Sequence, residues 1–165
     1  MKLSSPILLL SLLLFSCQSS DTKIQQLQTQ IDSLRNELAN TYKPGFGEFM
    51  SGVQVHHAKL WYAGINQNWD LANFEINEIK ELKTDIQKYE TDRPESKMIP
   101  MLEPGLDTVS AAIEHKDPVA FKNSFIVLTN TCNNCHRAVR YPFNDVKIPD
   151  TPPFTNQVFQ PGKNN

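Results

Sequence analysis

Apolar residues recur at helical spacing in a segment near the start of the chain. Ile24, Leu27, Ile31, Leu34 and Leu38 follow one another at alternating intervals of three and four residues. This is the heptad pattern of a coiled-coil seam. The seam covers residues 24–38 only, and a helix of that length is marginally stable on its own. We therefore expect it to associate weakly with a second copy, or to serve as a semi-rigid stalk.

Four further amphipathic segments follow the Pro44–Gly45 break. No segment alternates between apolar and polar residues with the period of two that is typical of strands. The sequence therefore predicts an all-α fold, with an antiparallel four-helix bundle over residues 46–141. The inward positions are Phe46, Met50, Val53, His57, Leu60 and Gly64; Ala72, Ile76, Ile79, Leu82, Ile86 and Tyr89; Leu106, Val109 and Ile113; and Phe121, Phe125, Leu128, Cys132, Cys135 and Val139.

Residues 142–165 differ in character from the predicted bundle. They contain five of the eleven prolines of the chain, so they cannot remain helical for long. Their apolar residues are too numerous for a tail that is fully solvated. We expect an extended strap across the bundle, with the last few residues loose. The apolar residues are Phe143, Val146, Ile148, Phe154 and Phe159.

Residues 1–16 have the layout of a secretory signal, because Lys2 precedes an apolar run that is too short to span a bilayer. The sequence "LFSC" resembles a lipobox, which implies that Cys17 is the lipidated first residue of a bacterial lipoprotein. The alternative is an ordinary signal peptide with a cysteine at its cleavage site. If Cys17 is lipidated, residues 17–45 contain the lipidated N-terminus, the stalk and a linker. Gln18 and Ser19 carry no inner-membrane retention signal, which favours the outer membrane, facing the periplasm or the cell surface.

Composition and charge narrow the range of partners. The chain is 39% apolar and 21% charged, with a formal net charge of −2. No basic stripe is present to neutralise phosphates, which argues against a nucleic-acid partner. Small molecules, proteins and membranes remain compatible with this composition.

The sequence "TCNNCHRAV" carries the most specific chemical signal in the chain. If Cys17 carries lipid, Cys132 and Cys135 remain as a pair, and His136 follows directly. A zinc site would need further soft ligands, and there is no second cysteine pair. A thioredoxin-like dithiol normally lies at a helix N-terminus after a strand, whereas this pair lies late in its predicted helix. The pattern C-x-x-C-H is typical of covalent haem attachment, with His136 as the proximal iron ligand. Dithiol redox chemistry is the rival interpretation.

A helical bundle with C-x-x-C-H late in its last helix resembles the cytochrome c-prime class, over about residues 46–141. In "CNNCHRAVR", Arg140 occupies the position four after the histidine where that class often has an arginine, although Val139 replaces the usual aromatic residue. The segments "MSGVQVHHAKLWYAG", "NQNWDLANFE" and "PPFTNQ" also resemble a subgroup of small bacterial monohaem cytochromes. The resemblance covers neither the stalk nor the lipid anchor.

The resemblance implies that the sixth ligand of the iron comes from the first turns of the first bundle helix, at Met50. A thioether sulfur there would raise the reduction potential and close the site to small gases. Met50 could instead be a core residue, and His57, seven residues later on the same stripe, is the rival ligand. His57 could also be a buried histidine without a ligand role. Arg140 could pair with a haem propionate.

We therefore expect one covalent haem c, with His136 and Met50 as axial ligands, in a lipid-anchored carrier of single electrons rather than an enzyme. Its partners would be a donor and an acceptor protein that the sequence does not identify. One alternative is a five-coordinate haem protein that binds nitric oxide or carbon monoxide. Another is a structural lipoprotein in which the stalk is the functional part.

Overall fold

The computed structural model describes the backbone of residues 6–162 and the side chains of residues 21–162. The described chain contains five α-helices and one 3₁₀ helix, and no strand. The prediction of an all-α fold is confirmed. The elements are α1 (Pro6–Asn40), α2 (Phe46–Ile65), α3 (Trp69–Tyr89), the 3₁₀ helix (Glu95–Leu102), α4 (Glu103–Glu114) and α5 (Pro118–Ala138). The chain divides into two compact units, Met1–Lys43 and Pro44–Asn165.

The first unit contains α1, which begins inside the predicted signal segment and includes the predicted heptad seam. The seam residues are exposed, from 43% for Ile31 to 63% for Ile24 and Leu34. Within the helix, Arg35 and Asp32 form an ion pair of 3.4 Å. The predicted lipidation site, Cys17, has a side chain that lies outside the described residues.

None of the described helices combines the length and the apolar character needed to cross a membrane.

In the second unit, local side-chain chemistry defines where the helices begin. Asn68 caps α3 by accepting a hydrogen bond from the backbone N–H of Leu71. Asp117 caps α5 by accepting from the N–H groups of Val119 and Ala120, and Pro118 occupies the first helical position. Between α3 and α4 the chain forms the 3₁₀ helix, Glu95–Leu102.

Helices α2 to α5 surround one hydrophobic core, in which each helix contacts two others: α2 packs on α3, α3 on α4, α4 on α5, and α5 on α2. Gly64 permits the closest approach between α2 and α5. A Cβ atom at Gly64 would lie 2.0 Å from Cζ of Phe121, whose ring is fully buried. The rings of Trp61 and Trp69 flank Phe121, with centroids 6.4 and 6.2 Å away.

The buried faces depart from the predicted stripes at several positions, of which Tyr89, Phe49 and Glu75 are the most informative. Tyr89 was expected inside but is 49% exposed. Phe49 was not expected inside, yet it is buried with Ile86 and Ile99 in a smaller cluster that the 3₁₀ helix completes. Glu75 is also fully buried, because the side chains of α2 supply its partners. They are His56, whose Nδ1 lies 2.6 Å from Oε2, and Lys59, whose Nζ lies 3.0 Å from Oε1.

Over residues 139–162, the segment after α5 contains neither helix nor strand and lies against the helices of its unit. Ile148 packs against the main core, and Phe159 is buried beside the ring of Tyr62, with centroids 5.6 Å apart. Near its end, the Asn68 side chain donates a hydrogen bond to the carbonyl of Gln160. These contacts hold the segment across α2 and the start of α3.

Candidate functional site

Two adjoining cavities lie where the beginning of α2 meets the end of α5. Their volumes are about 260 and 210 Å³. The larger cavity is mainly apolar, and the smaller one has a more polar wall that includes Gln54 and His57. The structure thus brings most of the residues that the sequence singled out to one place. Five residues line both cavities: Gly47, Met50, Cys132, His136 and Asn144.

The two cysteines are free thiols one helical turn apart on α5, and both line the larger cavity. Burial, together with the neighbouring thiol, raises the pKa of Cys132 to about 11. Burial also raises the pKa of Cys135. Both groups are therefore neutral thiols at neutral pH. A redox-active dithiol requires the opposite shift, because the thiolate is the reacting form.

The backbone carbonyl of Asn144 accepts a hydrogen bond from His136. The oxygen lies 2.6 Å from Nδ1. Because a carbonyl oxygen has no proton to donate, Nδ1 carries the hydrogen, and in the neutral form of the ring the lone pair is then on Nε2. A neutral imidazole in this tautomer is a good ligand for a metal ion. His136 therefore presents one nitrogen atom that is available to iron.

The ring of His57 is buried and already has a partner for Nε2. The hydroxyl of Thr129 donates to the carbonyl of Phe125 at 2.9 Å, so its oxygen accepts from Nε2–H of His57, also at 2.9 Å. Burial lowers the pKa of His57 to about 4 and keeps the ring neutral. The ring also packs on Phe125, at 4.5 Å between centroids. This arrangement accounts for His57 as a buried histidine, but the same tautomer leaves a lone pair on Nδ1, so His57 as the rival ligand to Met50 stays a prediction.

The structure places Arg93, rather than Arg140, in the wall of the larger cavity. Its guanidinium carbon lies 5.6 Å from the centre of the Phe46 ring, and its Nε lies 3.8 Å from a carboxylate oxygen of Glu90. Arg140 is exposed, lines neither cavity and has a left-handed backbone, with φ of 68°, in the turn after α5. Sequence reasoning missed Arg93, because only the fold of the segment before α4 brings it here. Pairing of Arg140 with a propionate stays a prediction.

The donor groups at this site fit a covalently held haem. Two thiols lie one turn apart, and His136 and Met50 line the same two cavities. A Cβ atom at Gly47 would meet nothing within 4 Å, so the backbone of α2 leaves room there. Among the side chains that the structure describes, no cluster of three or more His, Cys, Asp or Glu residues could hold a metal ion in another way. A zinc site of the usual kind thus has no ligand set in this part of the chain.

No protein-family model matches this chain, and neither a curated protein nor a solved structure matches it. The resemblance to the cytochrome c-prime class therefore rests on the motifs quoted above. The geometry of the site has to carry the functional argument.

Proposed function

We propose that this chain is a monohaem c-type cytochrome that carries single electrons and is not an enzyme. Its bundle would be an antiparallel four-helix bundle of the cytochrome c-prime kind. One observation carries the proposal: Cys132, Cys135, His136 and Met50 all line the larger cavity, although Met50 is more than eighty residues from the others in the sequence. Chance similarity to C-x-x-C-H would not explain why a methionine and a cavity accompany the motif.

In this proposal each residue of the site has a separate role. The sulfur atoms of Cys132 and Cys135 would hold the porphyrin through thioether bonds. Nε2 of His136 and the sulfur of Met50 would bind its iron. Apolar residues of the larger cavity, such as Ile99 and Leu102, exclude water from the ring. The bound haem supplies the one-electron change of its iron, whose potential a thioether ligand raises.

Visible spectra of the oxidised, reduced and carbon-monoxide-treated protein test the proposal. We expect a low-spin spectrum that carbon monoxide does not change, because both axial positions are filled. Met50→Ala should lose the low-spin spectrum and bind carbon monoxide. Met101→Ala is the matched control, because Met101 is 36% exposed and lines neither cavity. A high-spin wild type that binds carbon monoxide would instead support the gas-binding alternative. A Met50→Ala variant with an unchanged spectrum would exclude Met50 as a ligand.

We also propose that lipid on Cys17 anchors the protein to a bacterial membrane, most simply the outer membrane, facing the periplasm or the cell surface. The "LFSC" motif supports this proposal. Its redox partners would be proteins that bind weakly and through small interfaces, as is usual for electron carriers. Cys17→Ser should move the haem protein from the membrane fraction to the soluble fraction. A variant that stays in the membrane fraction would contradict the anchor.

Residues 24–38 are proposed to join two copies in a weak parallel coiled coil. Ile24 and Ile31 occupy one core position of the heptad, and Leu27 and Leu34 occupy the other. This combination favours a parallel coiled coil of two helices. All four are more than 40% exposed. Sedimentation of the full chain should give a concentration-dependent dimer that the double variant Leu27→Gln and Leu34→Gln abolishes. A wild type that is monomeric at high concentration would leave the stalk as the remaining interpretation.

A further inference from the structure

The side chain of Asn133, between the two cysteines of the motif, binds the segment that follows α5. Its Nδ2 donates to the carbonyl of Val146 at 2.7 Å, and the backbone N–H of Val146 donates to its Oδ1 at 2.8 Å. Asn133 is only 8% exposed. One buried amide thus satisfies both backbone groups of a single residue. Breaking this pair would leave buried polar groups without partners, which is costly, so the contact fixes the segment firmly.

The same segment supplies the carbonyl that orients His136. That carbonyl belongs to Asn144, only two residues before Val146. Asn144 and Val146 are too close in the chain to move independently. By holding Val146, Asn133 therefore also restricts where the Asn144 oxygen can lie. On the other side of Val146, Ile148 packs against the core and limits movement of the segment further.

We infer that residues 144–146 are an outer part of the haem site and that Asn133 is a positioning residue for the proximal ligand. The inference rests on the proposed function, because it takes His136 as the iron ligand. Asn133 acts through Val146 and the Asn144 carbonyl, and it does not bind the iron. Asn133 and the segment after α5 thus have a function in setting the reduction potential of the cofactor.

The physical effect follows from the hydrogen bond that Nδ1 of His136 makes with the Asn144 carbonyl. An imidazole that donates Nδ1–H to a carbonyl is held in one orientation and is a more basic ligand through Nε2. A more basic ligand stabilises ferric iron relative to ferrous iron. The hydrogen bond between His136 and Asn144 should therefore lower the reduction potential, and its loss should raise it.

The test uses the full chain with covalent haem, in four forms: wild type, Asn133→Ala, Asn133→Asp and Asn134→Ala. Asn134 is the matched control, because it is the neighbouring motif residue but is exposed and contacts only Arg137 at 2.7 Å. Asn133→Asp has the same shape and keeps an acceptor for the Val146 N–H, but it loses the donor. It serves if Asn133→Ala fails to fold. Two quantities are measured: the reduction potential, and amide hydrogen exchange over residues 142–150.

We expect faster exchange at Val146 in both Asn133 variants and a higher potential in Asn133→Ala, with neither change in Asn134→Ala. The new negative charge of Asn133→Asp favours ferric iron and opposes the rise in potential, so this variant is judged by its exchange alone. At a fixed electrode potential, the ratio of ferric to ferrous protein should fall several-fold in Asn133→Ala; a tenfold fall corresponds to about 59 mV for one electron. The exchange measurement is repeated on haem-free chains, where the protection of Val146 should depend on Asn133 in the same way.

Two results would overturn the inference. One is an unchanged potential in Asn133→Ala although its segment exchanges faster. The other is unchanged exchange at Val146, which would mean that Asn133 does not hold the segment. Failure of the proposed function is recognised separately, because the wild-type peptide that contains Cys132 and Cys135 would then carry no haem.

Discussion

The reactivity of Cys132 in the haem-free protein separates haem attachment from dithiol redox chemistry. Burial raises the pKa of this thiol to about 11, against an ordinary value of 9.0. At pH 8 the thiolate fraction should therefore be about 100-fold smaller in the folded chain than in the unfolded chain. A thiolate of higher pKa is intrinsically more nucleophilic, with a Brønsted coefficient of about 0.5, and this recovers roughly tenfold. We expect alkylation of the folded form to be about tenfold slower.

The assay follows iodoacetamide labelling of Cys132 by tandem mass spectrometry in a chain where only Cys17 is replaced by serine, so that the thiol of Cys135 stays beside Cys132. The chain is produced without haem maturation and labelled in buffer and in urea. Between pH 8 and pH 10 the folded rate should rise nearly tenfold per pH unit, whereas the unfolded rate should level off above pH 9. A folded rate equal to or faster than the unfolded rate, or one that levels off below pH 8, would refute the reasoning. It would indicate an activated thiol and favour the dithiol interpretation.

Two further predictions concern the fold and the cavity. Gly64→Ala should lower the free energy of unfolding by about 1–3 kcal/mol in urea titrations, because the new methyl group displaces the buried Phe121 ring. Gly47→Ala is the control, because a Cβ atom there meets open space, and it should be neutral or stabilising by up to about 1 kcal/mol. Equal effects of the two substitutions would contradict the close approach of α2 and α5. Arg93→Gln should lower the reduction potential by on the order of 30 mV, because it removes one partly exposed positive charge from the wall of the larger cavity. Arg140→Gln should change the potential less, because Arg140 lines neither cavity. The reverse order in voltammetry would favour Arg140 as the propionate partner.

The helices could be predicted from the sequence because their signals are local. Apolar residues at intervals of three and four define the inward faces, and Asp117 followed by Pro118 marks the start of α5 in the structure as it does in the sequence. Register between helices is not a local property. The burial of Glu75 depends on His56 and Lys59 of another helix, and the burial of Phe49 depends on the 3₁₀ helix.

The candidate site also has a part that local sequence signals predict and a part that depends on the tertiary fold. The two cysteines and His136 are adjacent in the sequence, and a motif of that kind can be read directly. Arg93 enters the cavity wall only through the fold of the segment before α4, so no sequence signal was available. The acceptor of His136 is a backbone carbonyl, which every residue possesses, and residue type alone could not identify Asn144. The burial of Asn133 is compatible with its place between two inward cysteines. Its partner Val146 could not be predicted, because Val146 lies in a segment without helical periodicity.

The most direct test of the central claim is the mass of one tryptic peptide, residues 123–137, from chains exported by cells that mature c-type cytochromes. Trypsin cleaves after Lys122 and Arg137, so this peptide contains Cys132, Cys135 and His136 and is independent of any lipid at the N-terminus. We predict that the peptide carries the mass of one haem and that neither cysteine reacts with an alkylating agent after unfolding. A peptide of unmodified mass in which both cysteines are alkylated would contradict the account.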